Sequence, residues 1–298
     1  MYAFASELMP NLPETGNFEE LHPWLMATDS VQCMPVQEDL WQRVATAEDR
    51  VSAERKLDRW LVKPTDGIFA RTNRRISIPI SRQLIKFPIT PNMVSLITLG
   101  FSFASGVSFA FGGYLHILAG ALLSLWASIL DGCDGEVARL KLQESDFGCW
   151  LETVCDYLYY LFIFAGLTIG LFRGSGVKTC LMWGGLLLFG AIASFLATGF
   201  SRHRLAAGRP EQLLGIWQTN AEKRRSNPLL YIGRHTEFII RRSFLPYALV
   251  FFALFNLTTV AFLLCAVGAN LVWPIALYAC YTFAVPRSSQ VASPAAPA

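Results

Sequence analysis

The chain has 298 residues, of which 53% are hydrophobic and only 16% are charged, and its mean hydropathy is +0.38. This composition excludes an ordinary soluble domain and predicts an all-α membrane protein with several spans. The formal net charge of +3 is unevenly distributed, because residues 1–60 carry 11 acidic and 5 basic residues and residues 61–298 carry 11 acidic and 20 basic residues.

Residues 1–64 contain no apolar run long enough to cross a membrane and are predicted to form an acidic cytoplasmic extension. They lack the basic start and apolar core of a cleavable signal peptide, so we expect the membrane spans themselves to direct insertion. A helix is predicted around Glu48 to Leu61, packed on the membrane domain or on a second subunit.

Residues 65–86 mix Ile and Phe with Arg, a pattern that predicts an amphipathic helix on the inner leaflet with its basic face towards anionic lipid heads. The alternative is a charged flank of the first span. Residues 65–285 are interpreted as the membrane domain, and residues 286–298 as a flexible C-terminal tail.

Six membrane-spanning helices are predicted from apolar segments that approach the length needed to cross the hydrocarbon core. They are residues 91–112, 114–130, 147–172, 178–200, 243–257 and 258–284. Basic residues precede the first span, and nine lie between spans four and five, whereas the loops between spans one and two and between five and six have none. The positive-inside rule therefore predicts that both termini and the acidic segment after span two face the cytoplasm.

That acidic segment, residues 131–156, holds seven carboxylates between two uncharged apolar segments. If the second helix continues through its first half, Asp131 and Asp134 share one face with two small residues, Gly135 and Ala138. Arg139 lies at the edge of that face. A cationic side chain beside small residues is suited to binding a phosphate.

At the start of the third span, Gly148, Glu152 and Asp156 also share a helix face, because they are spaced at i, i+4 and i+8. The connection between the two helices is short, so we expect them to lie side by side with four converging acids: Asp131, Asp134, Glu152 and Asp156. Such close carboxylates repel one another unless cations neutralise them, and oxygen ligands suit Mg²⁺, Mn²⁺ or Ca²⁺ rather than zinc. The segment therefore predicts metal-assisted phosphoryl chemistry.

The remaining acids of the segment do not fit the shared faces. Glu136, Glu144 and Asp146 are assigned to solvent or to helix capping, with Asp146 a candidate cap of the third span. The seven cysteines form no CxxC pair and are interpreted as small apolar residues.

The acidic segment resembles the signature of the CDP-alcohol phosphotransferase family, Asp-x2-Asp-Gly-x2-Ala-Arg-x8-Gly-x3-Asp-x3-Asp. Seven of its eight positions match here; the residues at the eight positions are Asp131, Asp134, Gly135, Ala138, Arg139, Gly148, Glu152 and Asp156. The resemblance covers residues 65–285 and implies a six-helix bundle, a preceding surface helix and a homodimer.

The resemblance also implies two divalent ions, Mg²⁺ or Mn²⁺, on the pyrophosphate of a CDP-linked donor. The implied metal ligands are Asp131, Asp134, Glu152 and Asp156. Asp156 would also be the general base that activates the acceptor hydroxyl, and CMP would leave. The implied contacts to the CDP part are Gly135, Ala138, Arg139, Gly148, Ser145 and Asn92.

Two positions leave alternatives open. The family has Asp where this chain has Glu152, so Glu152 either still coordinates with a shifted metal or impairs metal binding. Arg202 and Arg204, at the predicted cytoplasmic end of span four, either bind a phosphate on the acceptor or anchor the helix at the membrane surface.

Residues 41–67 resemble the tail of a nucleotidyltransferase domain that is fused to some inositol-phosphate members of the family. Arg43 and Ala45 occupy positions where that tail has acids, including a metal-binding Asp. Residues 1–64 are therefore interpreted as a non-catalytic remnant, with an unrelated cytoplasmic cap as the alternative.

The predicted function is transfer of a substituted phosphate from a CDP-alcohol, of the CDP-diacylglycerol or CDP-inositol type, to a polar alcohol or lipid acceptor. The acceptor stays open between an inositol-phosphate-type alcohol, glycerol phosphate and serine. The alternatives are a catalytically inactive membrane scaffold and a divalent-cation binding protein. Membrane lipids and a second copy are the expected partners, and nucleic acid is not.

Overall fold

The computed structural model describes residues 42, 44–63, 66–206 and 243–283, without the side chains of residues 202, 205, 206 and 283. Throughout these residues every regular element is a helix, which confirms the all-α class for the described part. The helices are α1 (Ala47–Leu61), α2 (Ile68–Leu84), α3 (Pro91–Phe111), α4 (Tyr114–Leu140), α5 (Asp146–Ser175), α6 (Lys178–Ala206), α7 (Leu245–Leu254) and α8 (Thr258–Phe283). The chain divides into two units between Leu57 and Asp58.

Five of these helices are long and apolar enough to cross a membrane: Pro91–Phe111, Tyr114–Leu140, Asp146–Ser175, Lys178–Ser201 and Thr258–Thr282. The predicted fifth span, residues 243–257, contains only the apolar helix α7 of 10 residues. At about 1.5 Å per residue, α7 is roughly half as long as the hydrocarbon core is thick. The count of six spans therefore stays a prediction, whereas five candidate spans are present.

Helix α1 begins with a reciprocal cap. The amide of Asp49 donates to Oγ1 of Thr46 at 3.1 Å, and the amide of Thr46 donates to Oδ2 of Asp49 at 2.9 Å. This arrangement satisfies donors that the first turn leaves free, so the helix starts at the position that the sequence predicts. The wider assignment of residues 1–64 stays a prediction.

Helix α2 occupies most of the predicted surface helix, but the face that it buries is polar. Asn73, Ser77 and Ser81 are buried at successive turns, and α2 packs on α4. The side-chain amide of Asn73 donates to Oγ of Ser128 at 3.2 Å, and the hydroxyl of Tyr247 in α7 donates to Oδ1 of Asn73 at 2.7 Å. These polar contacts hold α2 on the bundle together with apolar packing, since Ile80 and Leu84 pack against a cluster that includes Leu130. The position of α2 on the inner leaflet stays a prediction.

The centre of the bundle is a tight crossing of α3 and α5. Gly106 on α3 and Gly166 on α5 face each other, and a Cβ added to Gly106 would stand 2.5 Å from the carbonyl oxygen of Phe162. Around this crossing a core forms from buried apolar side chains, among them Phe109, Ile163 and Leu167. Since α3 also packs along α4, it connects the two helices that carry the acidic motif.

Gly166→Ala is expected to weaken this crossing, because the new methyl group would meet the carbonyl oxygen of Gly106. Overpacking of this kind costs about 1–3 kcal/mol. Gly174→Ala is the matched control on the same helix, since nothing lies within 4 Å of the Cβ that it adds. Thermal unfolding in detergent should place Gly166→Ala below both the control and the wild type, and equal midpoints would contradict the tight crossing.

Candidate active site

The four predicted acids lie on the two helix ends that meet around residues 141–145. Asp131 and Asp134 are on the last turns of α4, and Glu152 and Asp156 are on the first turns of α5. The prediction that α4 and α5 pack side by side is wrong for the described residues, because both helices pack on α3 instead. A hydrogen bond of 2.7 Å between Oγ of Ser124 and the hydroxyl of Tyr159 links α4 to α5 deeper in the bundle.

Asp134 is the most buried of the four acids, with 5% of its surface exposed. The hydroxyl of Ser95 donates to Oδ2 of Asp134 at 2.7 Å, and the amide of Gly135 donates to Oδ1 at 2.6 Å. The carboxylates of Asp131 and Glu152 lie near enough to repel its charge. No Lys or Arg in the described part of the chain forms an ion pair with Asp134.

The other three acids are more accessible: Asp131 and Asp156 are half-buried and Glu152 is exposed. Within the described ranges, no three acidic, His or Cys side chains are already arranged around one ion position. The chemistry of the donor set nevertheless fits a hard divalent cation, because its donors are carboxylate oxygens and the buried carboxylate of Asp134 has acidic neighbours without a basic partner among the described residues.

Three residues predicted to contact the CDP part lie close together at the start of α5. A Cβ placed on Gly148 would stand 3.1 Å from Oγ of Ser145 and 3.6 Å from Oδ1 of Asn92. Ser145 is also the N-cap of α5, since its Oγ accepts a hydrogen bond of 3.0 Å from the amide of Gly148. A side chain on Gly148 would therefore fill the space between these groups. Gly135, on α4, has nothing within 4 Å of its Cβ position.

Lys141 fixes the segment that leads into Asn92, a role that the sequence did not indicate. Its Nζ donates to the carbonyl oxygens of Phe87 at 2.8 Å and Ile89 at 2.7 Å. These bonds fasten the connection between α2 and α3 to the end of α4. The position of Asn92 opposite Gly148 is consequently tied to the helix that carries Asp131 and Asp134.

Arg139 has donors available for an anion. Its Nε donates to the carbonyl oxygen of Gly135 at 3.1 Å, one turn back on α4. Its Nη2 is buried and has no hydrogen-bond partner within the part of the chain that the structure describes. A guanidinium in this state is suited to receiving a phosphate oxygen. Ala138, beside it, is half-buried and adds only a methyl group.

The two predicted acceptor-binding arginines are less well placed. Arg204 is exposed on the last turn of α6, and its guanidinium carbon lies 5.9 Å from the centre of the Phe200 ring. The side chain of Arg202 is outside the described residues, as is the loop of residues 207–242 that follows. A role for either arginine stays a prediction.

The assignment of Glu136 to solvent or to capping is wrong. Its side chain is completely buried and accepts hydrogen bonds of 2.6 Å from three groups on α2: Nη1 of Arg74 and the hydroxyls of Ser77 and Ser81. The physical reason is that Glu136 points away from the acidic face of α4, towards a neighbouring helix that supplies polar partners. Glu144 and Asp146 are exposed, and Ser145 rather than Asp146 caps α5.

Arg74 is at the centre of the contact between α2 and α4. It pairs with Glu136 and, at 3.3 Å, with Oδ2 of Asp66, and it donates to the carbonyl oxygen of Gly132 at 2.9 Å. Burial by itself would lower the pKa of Arg74, but the hydrogen bond and charge of Glu136, together with Asp66, raise the pKa above its ordinary value. The guanidinium therefore stays charged.

A cavity of about 820 Å³ extends from Asp156 into the bundle between α5, α6, α7 and α8. Thr153 and Tyr157 line it beside Asp156, whereas its deeper wall is mainly apolar and includes Phe164 and Phe252. The cavity can therefore hold a molecule with a polar end at Asp156 and an apolar part among the helices.

Comparison with known proteins gives a family for this part of the chain. Residues 88–219 match the family model described as CDP-alcohol phosphatidyltransferase. A bifunctional IPC transferase and DIPP synthase from Aquifex aeolicus (strain VF5) is 36% identical over 139 residues, which are 45% of this chain and 31% of the relative. A protein of the same name from Rubrobacter xylanophilus is 33% identical over 200 residues, 66% of this chain and 43% of the relative.

A phosphatidylinositol phosphate synthase from Corynebacterium glutamicum is 27% identical over 156 residues, which are 50% of this chain and 70% of the relative. The chain spans less than half the length of the bifunctional relatives that it matches. The matched range includes all eight positions of the motif between Asp131 and Asp156. The chain therefore contains a CDP-alcohol phosphatidyltransferase domain over residues 88–219.

Proposed function

We propose that this chain is an integral-membrane phosphotransferase that moves a substituted phosphate from a CDP-alcohol to an alcohol acceptor and releases CMP. The observation that carries the proposal is the buried carboxylate of Asp134, which lies beside two other acids of the family motif without a basic partner in the described residues. An inactive scaffold or a cation-binding protein is the alternative, and CMP release distinguishes them.

The acids are proposed to hold two divalent cations, Mg²⁺ or Mn²⁺. The proposed ligands are Asp131, Asp134, Glu152 and Asp156. Bound cations would neutralise the pyrophosphate of the donor and the charge that develops on it. Arg139 would donate to a phosphate oxygen, and the gap beside Gly135 and Gly148 would admit the nucleotide against the backbone, with Asn92 and Ser145 at its edge.

Asp156 is proposed to act as the general base. Its carboxylate would take the proton of the acceptor hydroxyl, whose oxygen forms a bond to the phosphorus distal to cytidine. The bond from that phosphorus to the bridging oxygen breaks, and this oxygen leaves as part of CMP. The position of Asp156 in the wall of the cavity supports this role.

We propose a lipid-linked donor of the CDP-diacylglycerol type, because the cavity beyond Asp156 has mainly apolar walls that suit acyl chains. A soluble CDP-inositol donor would place no apolar group there. For the acceptor, the name of the phosphatidylinositol phosphate synthase favours an inositol-phosphate-type alcohol over glycerol phosphate or serine. Arg202 and Arg204 remain proposed contacts for a phosphate on that acceptor.

The arrangement in the membrane is also proposed. The distribution of Lys and Arg supports both termini and the acidic motif on the cytoplasmic side, with α2 on the inner leaflet. In this arrangement α7 and α8 would complete a six-helix bundle with α3–α6. A homodimer follows from the family resemblance. Residues 1–64 are proposed to be a non-catalytic extension.

The test is CMP release by the purified protein in detergent with Mg²⁺ or Mn²⁺. CDP-diacylglycerol and CDP-inositol are each paired with inositol phosphate, glycerol phosphate and serine, with and without EDTA. CMP that needs metal, donor and acceptor together would establish the transferase and identify its substrates. If no pair gives CMP and Mn²⁺ does not bind, the inactive scaffold is the better description.

Glu152→Asp is expected to lower CMP release by about tenfold. Glu152 is one methylene longer than the family's residue, so a site adapted to it would lose a ligand contact when the side chain is shortened. Glu152→Gln, which keeps the length but removes the charge, should lose at least as much. A sharp rise in activity with Glu152→Asp would instead show that the natural residue impairs the metal site.

A further inference from the structure

Glu136 is a charged residue inside the family motif for which the proposed reaction has no use. At about 100° per residue, it points about 140° around α4 from Asp131 and about 160° from Asp134. Its carboxylate therefore faces α2 and not the proposed metal ligands, in agreement with its hydrogen bonds to Arg74, Ser77 and Ser81.

The side chain of Arg74 binds two successive turns of α4. Nη1 of Arg74 donates both to the carbonyl oxygen of Gly132 and to Oε1 of Glu136, four residues further along. Gly132 permits this approach, because a Cβ at that position would stand 2.9 Å from Nη1 of Arg74. Asp131 and Asp134 lie on this part of α4, next to Gly132 and Glu136. A rotation or a shift of α4 against α2 would therefore move both carboxylates.

Stability alone does not explain such a contact. Burying an ion pair has a desolvation penalty that often equals the free energy gained from the attraction between its charges. Well-packed apolar residues of similar volume often stabilise a core by at least as much as a buried ion pair does. What a completely buried carboxylate with three short hydrogen bonds to α2 adds is a single register between the two helices. Metal ligands need such a register, because displacements of about 0.5 Å already impair a site.

We propose that Glu136 and Arg74 are positioning residues that fix the segment of α4 carrying Asp131 and Asp134 against α2, and that this placement sets the affinity of the site for its divalent cation. The inference rests on the proposed function, since it takes Asp131 and Asp134 as metal ligands. It assigns to α2 a role in the reaction in addition to its proposed contact with the membrane.

The test measures Mn²⁺ binding by the full chain in detergent, with electron paramagnetic resonance to detect the free ion. CMP release is measured on the same protein. Glu136→Gln keeps the size of the side chain and removes its charge. We expect it to weaken Mn²⁺ binding about tenfold, the usual effect of losing a group that supports metal ligands. The Mn²⁺ concentration for half-maximal CMP release should rise by the same factor, with the KM for the acceptor changed less than about twofold.

Arg82→Gln is the matched control on the same helix. Arg82 forms an ion pair of 2.7 Å with Asp58, and about a third of each side chain is exposed, at 34% and 35%. This substitution removes a charge from α2 without touching α4 at Gly132 or Glu136, so Mn²⁺ binding should stay at the wild-type value. A general loosening of α2 would affect both variants alike.

Two further variants separate positioning from folding. Ser81→Ala removes the hydrogen bond that the Ser81 hydroxyl donates to Oε2 of Glu136 and should weaken Mn²⁺ binding about two- to threefold. This milder variant tests the proposal if Glu136→Gln does not fold. Arg74→Gln combined with Glu136→Gln should weaken binding about as much as the more damaging of the two single substitutions, because both break the contact between Arg74 and Glu136.

The outcomes keep the two proposals apart. Wild-type protein that binds no Mn²⁺ and releases no CMP would overturn the proposed function itself. The positioning role would be overturned if the wild type is functional and both Glu136→Gln and Ser81→Ala bind Mn²⁺ as tightly as it does. The proposed function would then remain intact. Lower thermal stability with unchanged Mn²⁺ affinity would reduce Glu136 to a structural residue.

Discussion

Asp156→Asn should lower CMP release by about 10³-fold, within the range that a positioned general base contributes. The amide keeps the size of the side chain but cannot accept the proton of the acceptor hydroxyl at neutral pH. Asp156 is half-buried and lines the cavity, so an acceptor bound there can bring its hydroxyl to this carboxylate. The loss should therefore appear in kcat for every acceptor tested.

Asp146→Asn is the control for Asp156→Asn. Asp146 is an exposed acid in the first turn of the same helix, outside the face that Gly148, Glu152 and Asp156 share. Its CMP release should remain within about twofold of the wild type, since the change affects only a surface charge near the helix start. Asp156→Asn activity within tenfold of the wild type would remove Asp156 from the role of base.

Binding of Mn²⁺ distinguishes the two roles proposed for Asp156. If Asp156 acts mainly as a base, the Asn variant binds Mn²⁺ nearly as well as the wild type while it releases almost no CMP. If it acts mainly as a ligand, binding falls together with activity. The measurement uses the purified variant without donor or acceptor, so it does not depend on turnover.

The sequence predicted the parts of the fold that depend on length and spacing. Apolar segments of sufficient length gave α3, α4, α5, α6 and α8, with ends within a few residues of the structure for most of them. The predicted fifth span, residues 243–257, extends beyond α7 because the apolar flanks of this helix continue the hydropathy past Leu254. Asn256, with φ of +55°, interrupts the helix there, and hydropathy does not register that turn.

The contacts that support the acidic motif could not be predicted in the same way. The partners of Glu136 are about 60 positions away on α2, and the Arg residues of that segment were all interpreted as facing lipid. Lys141 donates to the backbone carbonyl oxygens of Phe87 and Ile89. Because every residue has such a carbonyl, the amino-acid pattern does not indicate this contact. One feature of the sequence did indicate a protein contact. Asn73, Ser77 and Ser81 fall on one face of α2, and such a stripe of uncharged polar residues is typical of a helix that packs on polar partners in the protein.

Asp134→Asn should abolish metal-dependent CMP release while making the metal-free protein more stable. The carboxylate is 5% exposed, and the charges of Asp131 and Glu152 act on it, without an ion pair to any basic residue in the described part of the chain. A neutral amide of the same shape removes that repulsion. Its oxygen can accept from the amide of Gly135, and its NH₂ group can donate to Oγ of Ser95. Loss of a central ligand should lower activity by about 10³-fold.

Thermal unfolding with and without Mn²⁺ measures the stability effect. In EDTA, we expect the midpoint of Asp134→Asn to lie about 2–4 °C above that of the wild type, the shift expected for roughly 1 kcal/mol in a domain of this size. Ser95→Ala is the control, because it keeps the buried carboxyl group of Asp134 and removes a hydrogen bond from it, and its midpoint in EDTA should fall below that of the wild type.

Mn²⁺ should reverse the order of wild type and Asp134→Asn. An ion at 100 times its dissociation constant stabilises the folded protein by about 2.7 kcal/mol, and only the wild type should gain this. An Asn variant that is less stable than the wild type in EDTA would show that the carboxylate supports the fold by itself. An inactive variant that is more stable without metal, and indifferent to Mn²⁺, would show that the buried charge of Asp134 is kept for the cation and at the expense of the fold.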